Sequence, residues 1–210
     1  NFGFKDMLYL DVTARNDWSS TLPVENRSYF YPSASLSFLL SEVVDIPKVD
    51  LFKLRGGWAR VGNDTSPYQL GAYYNNAGQW DNAVLYSAPG GLSTPTLEPE
   101  EATSKEFGVD LTMFNNRFRF EGTYYTVENR NQIVPSVPIP GSSGYSSVSI
   151  NAGVLESKGY KFSLGITPIR TDNFNWDLNL NYTTNESKVL ALADGVDYIE
   201  FWSENKSVSR

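Results

Sequence analysis

The residues with the most obvious chemical potential sit close together. Glu98, Glu100 and Glu101 form the densest acidic spot of the chain. Paired carboxylates can work as general acid and base, but only where a shaped pocket tunes their pKa values. A Pro-Glu-Glu run is more simply a solvated junction where a loop enters a strand. Gly90-Gly91 lacks the Lys-Ser/Thr that completes a phosphate loop and reads as a turn. Histidine and cysteine are both absent. That removes Ser-His-Asp and Cys-His nucleophiles, imidazole and thiolate metal centres, CxxC redox pairs and disulfides. No catalytic constellation, metal site or cofactor site emerges, and the expectation is a protein that is not an enzyme. Sequons at Asn26, Asn63, Asn181, Asn185 and Asn205 follow from stretches rich in Asn, Ser and Thr.

Binding chemistry is better represented. Tyr68, Tyr73, Tyr74, Trp80 and Tyr86 fall within residues 62–103, next to Asn75, Asn76, Gln79 and Asp81. Ring stacking combined with amide hydrogen bonds suits a sugar or a peptide. The plainer reading of the same rings is packing between loops or contact with a partner lipoprotein. The formal charge of −7 repels a phosphate backbone, so nucleic acid is not an expected partner.

Elements that could position these groups are read from periodicity. Aromatics make up 14% of the chain, yet mean hydropathy is −0.35, which suits sheets alternating greasy and polar faces. No stretch approaches the ~20 apolar residues that a membrane helix needs. The dominant period is two. Leu8, Leu10, Val12 and Ala14 alternate with Tyr9, Asp11, Thr13 and Arg15. Further strands are expected at about 31–40, 51–61, 104–114, 118–127, 158–169 and 174–187. In the fourth, Phe107, Val109, Leu111 and Met113 oppose Glu106, Gly108, Asp110 and Thr112. Asn115-Asn116-Arg117 forms a tight hairpin turn, because Asn tolerates positive φ. Long irregular segments occupy residues 16–27, 62–103 and 128–155; the intervening connections are short.

Strands of roughly ten residues match the length that crosses a bilayer at a tilt. Loops that alternate long and short match the extracellular and periplasmic ends of outer-membrane barrels. The polar faces suit a wet lumen and the apolar faces suit lipid. Trp176, Tyr182, Tyr124 and Phe107 are expected near strand ends, at the interfaces. The expected fold is therefore all-β: an antiparallel up-and-down transmembrane β-barrel, partial, with about seven strands. The alternative is a soluble β-sandwich acting as a carbohydrate-binding module. Seven strands do not close a bacterial barrel, so residues 1–210 are expected to be one segment of it. Leu111→Arg is expected to damage assembly and Asp110→Asn to be mild.

Several ordered segments resemble a known family. ARNDWSSTLPVENRSYFYPSASLSF (Ala14 to Phe38) and KLRGGWARVGN (Lys53 to Asn63) are similar to strand-loop-strand signatures of SusC/RagA-type TonB-dependent transporters of Bacteroidetes. LEPEEATSKEFGVDL (Leu97 to Leu111), TYYTVENRNQI (Thr123 to Ile133) and NAGVLESKGYKFSL (Asn151 to Leu164) continue the resemblance in order, over almost the whole chain. The resemblance implies a barrel of about 22 strands with a plugged lumen in the bacterial outer membrane. It implies active import of oligosaccharides or peptides, a SusD-like surface lipoprotein as partner, and TonB acting through an N-terminal plug region that this sequence lacks. Ligand residues are not carried over from the family, because these loops are where its members differ.

Overall fold

The computed structural model describes residues 1–67 and 69–192, and the backbone of two strands beyond them. The strands are β1 (Phe2–Phe4), β2 (Leu8–Trp18), β3 (Ser28–Leu39), β4 (Val49–Asn63), β5 (Asn75–Trp80), β6 (Ala83–Ser87), β7 (Gly91–Leu92), β8 (Glu100–Met113), β9 (Phe118–Arg130), β10 (Ile133–Pro138), β11 (Ser147–Asn151), β12 (Val154–Arg170), β13 (Asn175–Ala191), β14 (Tyr198–Phe201) and β15 (Lys206–Ser209). The seven strands expected from periodicity are β2, β3, β4, β8, β9, β12 and β13. They form one sheet in the order β1-β2-β3-β4-β8-β9-β12-β13, with β1 adding a short edge. All pairings in this sheet are antiparallel.

The register explains why alternation in each strand becomes a two-faced sheet. Phe107 pairs with Tyr124, and Tyr124 with Tyr160. Two residues further along, Leu54, Val109, Gly122, Phe162 and Tyr182 form the next row. Phe52, Leu111, Phe120, Leu164 and Leu180 form the row after that. Since the side-chain period is two, a slip of one residue would turn all these groups to the other face. Ring contacts pin the register: Tyr124 to Tyr160 at 5.0 Å, Phe120 to Phe162 at 6.2 Å and Phe162 to Tyr182 at 6.4 Å between centroids. Each cross-strand pair contributes roughly 0.2–1 kcal/mol.

Packing rules out the sandwich. A sandwich would bury the aromatic face beneath a second sheet. Here Phe107, Leu180 and Tyr182 remain 58%, 64% and 61% exposed. The buried apolar residues among those described are Leu22, Leu97, Val137, Ala152 and Leu192. They lie in the connections or just beyond β13, so the eight-stranded sheet is an unclosed wall with no core of its own.

The strands run further toward the long loops than periodicity indicates. β8 begins at Glu100 and pairs it with Asn63, so residues 62–103 are not all loop. β9 extends to Arg130, and β12 starts at Val154. Above the aromatic row both faces carry polar residues, and a strand held by backbone pairing alone shows no alternation there. For the same reason Phe107, Tyr124 and Tyr182 lie mid-strand; only Trp176 of that set sits at a strand end. The long segments also hold structure of their own: a β5–β6 hairpin and a small sheet in the order β10-β11-β7. At the opposite end, Phe114, Asn115 and Asn116 all take left-handed φ. Asp50 accepts a hydrogen bond from the Asn116 N–H at 3.0 Å, which ties the β8–β9 hairpin to the start of β4.

Candidate functional site

The polar face is a built surface. Asp110 on β8 is flanked by two cations of β4. Lys53 Nζ stands 2.7 Å from its carboxylate, and Arg55 Nε donates to it at 3.2 Å. Arg55 Nη2 donates onward to the Thr123 hydroxyl on β9 at 2.6 Å. Arg55 can lie along the sheet because its cross-strand partner is Gly108: a Cβ there would stand 2.7 Å from the guanidinium carbon. Arg119 uses Gly165 in the same way, with its Nε 2.9 Å from where a Cβ would be. Further along the face, Lys161 Nζ sits 4.8 Å above the Tyr125 ring, whose hydroxyl donates to Asn185 at 3.1 Å. A concavity of about 460 Å³ is lined by Arg55, Glu106, Glu121, Thr123, Lys161 and Asn181, among others.

At the long-loop end, the acidic spot becomes a seam between loops. Glu100 and Glu101 open β8, as a loop-to-strand junction should. Glu100 accepts hydrogen bonds from Asn63 Nδ2 at 3.0 Å and from the Ile133 N–H at 2.8 Å. Glu101 pairs with Arg60, and Glu98 accepts from Asn131 at 2.7 Å. Asn151 completes the seam: its Oδ1 accepts from the Glu98 N–H, and its Nδ2 donates to the carbonyls of Glu98 and Asn131. The β2–β3 loop joins through Asn26, which donates to the Leu97 carbonyl at 3.3 Å. Ser19 and Thr21 both donate to Asp64. Leu97 and Leu22 are buried beneath these contacts. Next to them opens a cavity of about 330 Å³, bordered by Tyr29, Phe30, Tyr31, Arg60, Glu98 and Glu100, among others. The carboxylates act here as hydrogen-bond acceptors that hold loops together.

The aromatic residues expected to bind ligand lie elsewhere in the same layer. Tyr73 and Tyr74 precede β5, Trp80 ends it, and Tyr86 lies on β6 across from Asn76. Tyr73 folds back over Gly71. Tyr74, Trp80 and Tyr86 are strongly exposed, and none of these residues borders the cavities described above. Tyr68 lies outside the described residues. Periodicity missed the seam residues Asn131 and Asn151 and the Arg55–Gly108 and Arg119–Gly165 pairs. Only the pairing register brings each arginine opposite its glycine.

Comparison with known proteins follows this geometry. Residues 1–203 match the family described as TonB dependent receptor-like, beta-barrel. A TonB-dependent receptor of Formosa agariphila is 34% identical over 206 residues, covering 95% of this chain and 21% of that receptor. The TonB-dependent receptor SusC of Bacteroides thetaiotaomicron is 27% identical over 224 residues, covering all of this chain and 22% of SusC. In structure, 99% of this chain superposes on 23% of a chain of the RagAB peptide importer in its closed-closed state, with a TM-score of 0.89 at 23% identity. The chain spans about a fifth of the length of the curated relatives it matches.

Proposed function

Because the chain belongs to the TonB-dependent receptor β-barrel family, we propose that it forms one arc of an outer-membrane active importer, within a barrel of about 22 strands. The observation that carries this reading is the sorting of the sheet. One face is aromatic, apolar and exposed, and the other is lined with paired charges. On β12 the outward apolar face runs from Tyr160 to Ile169, roughly 30 Å along the strand at about 3.3 Å per residue. A tilt of about 40° reduces this to roughly 23 Å, close to the apolar band of such barrels.

In this assignment the short turns face the periplasm and the seam and β5–β6 hairpin face outward. The cargo is an oligosaccharide or a peptide, in keeping with relatives that include SusC and a peptide importer. Tyr68, Tyr73, Tyr74, Trp80 and Tyr86 are the proposed contacts. The exposure of Tyr74 beside the β5–β6 hairpin and of Trp80 and Tyr86 on it, away from the cavities described above, favours cargo held against a second surface. A SusD-like lipoprotein supplies that surface, and TonB drives release through a plug region of the whole protein.

The test is deletion of the gene, followed by growth on single oligosaccharides and on defined peptides. Loss of growth on one class, restored by the intact gene, supports the proposal. Unchanged growth on every substrate, with the protein recovered in the soluble fraction, refutes it.

A further inference from the structure

The outward face changes character between two adjacent rows of the sheet. On β8, β9 and β12 the upper limit of the aromatic surface is Phe107, Tyr124 and Tyr160, which are cross-strand partners, while on β4 Trp58 continues it one row higher, across from Lys105. The next outward row, through the same strands, is Lys105, Thr126 and Lys158. Lys105 is exposed and Lys158 half-buried. Neither forms an ion pair among the described residues. The acidic groups around them are largely engaged: Glu186, across from Lys158, is bridged by Lys188 at 2.8 Å, and Glu128 is bridged by Arg130. Glu156 lies one row higher, across from Lys188.

Two ammonium groups held in no ion pair among the described residues thus flank a hydroxyl, directly above a girdle of rings, with Glu186 across from Lys158 as the nearest cross-strand carboxylate. Strands β8 and β12 lie on either side of β9, so the two lysine backbones are about 10 Å apart at the usual strand spacing. Long flexible stems let both ammonium groups converge over Thr126, and lysine serves as a point-charge partner for phosphate. The aromatic row marks the depth of the headgroups. We propose that Lys105, Thr126 and Lys158 form a docking site on the outer wall for the phosphate of an outer-leaflet lipid headgroup. This rests on the outer-membrane barrel reading given above.

The experiment uses the whole protein in phosphatidylcholine bilayers doped with either a lipid A bisphosphate or its dephosphorylated form. Lipid retained after detergent extraction is counted by native mass spectrometry. The wild type is expected to retain the phosphorylated lipid preferentially. Each lysine-to-glutamine change should cost about fivefold in that preference, at about 1 kcal/mol per lysine near a charged surface. K105R/K158R should keep the preference, T126V should weaken it, and K5Q, in the turn between β1 and β2 at the other end, should leave it intact. Equal retention of both lipids by the inserted wild type, or a K105Q/K158Q protein matching the wild type, overturns the inference alone. Displacement of the lipid by inorganic phosphate would assign the site to a free anion and also overturns it. Failure of the wild type to insert at all overturns the barrel reading with it.

Discussion

Arg55 lies across Gly108, its cross-strand partner, with the guanidinium carbon 2.7 Å from where a Cβ would stand. The absent side chain is what lets one arginine reach both Asp110 and Thr123. Gly108→Val should lift the guanidinium from the wall and break at least one of these bonds. The expected loss is about 1.5–3 kcal/mol of barrel stability, the range for hydrogen bonds to charged groups. Urea unfolding of the whole protein in detergent would measure it, and an unchanged midpoint would show that Arg55 has another resting place.

The same contact revises the expectation for Asp110. Judged by face alone, Asp110→Asn should be mild. With Lys53 and Arg55 both drawn to this carboxylate, the amide removes the charge that both cations contact and leaves Glu121, across from position 110, as the neighbouring carboxylate. Destabilisation of about 1 kcal/mol is expected, and Lys53→Met in the Asp110→Asn background should recover part of it. A double mutant no more stable than the single would argue against repulsion as the cause.

Leu111 points the other way, in the row with Phe120 and Leu164. An arginine there meets hydrocarbon and should cost ~2–4 kcal/mol near the midplane. The heat-modifiable, folded band on a gel should weaken or vanish. Normal assembly of Leu111→Arg would count against lipid at this face.

Asn151 joins Glu98 to Asn131 with three hydrogen bonds. Asn151→Ala should loosen the loop layer without weakening the sheet, because β8, β9 and β12 pair independently of it. Hydrogen exchange should quicken in residues 131–153 and around Glu98, while exchange in mid-strand amides stays slow. Uniform acceleration across the sheet would contradict a local role.

Trp80, Tyr74 and Tyr86 contribute little to stability, being open to solvent. Their joint replacement by alanine should leave folding intact and reduce cargo uptake severalfold. Co-purification with the proposed SusD-like lipoprotein separates the two uses of these rings. Lost uptake with an intact complex points to cargo, whereas loss of the complex points to partner contact.

Much of this was legible because lipid and lumen impose opposite chemistry on alternate residues. Phe107, Val109, Leu111 and Met113 announce one face of β8, and Glu106, Asp110 and Thr112 the other. Where both sides are wet, that signal ends: Glu100 to Ser104 carry no alternation, yet they pair residue for residue with Asn63 to Ala59. The seam was hidden for a different reason. It joins groups as distant in sequence as Asn26 and Leu97, and an asparagine does not reveal which distant carbonyl it will meet. The Asn115-Asn116 turn was readable locally, although Phe114 also takes left-handed φ, a conformation its residue type gives no reason to expect.

The continuation of β8 beyond Phe107 to Glu100 has a mechanical consequence. At about 3.3 Å per residue, this stretch raises the loops roughly 20 Å along the strand above the aromatic girdle. In the proposed membrane placement, the wall becomes a collar standing clear of the headgroups. In the proposed importer, a bulky water-soluble partner would settle on the loop layer without touching lipid, and a long substrate would be captured beyond the crowded surface before it meets the lumen.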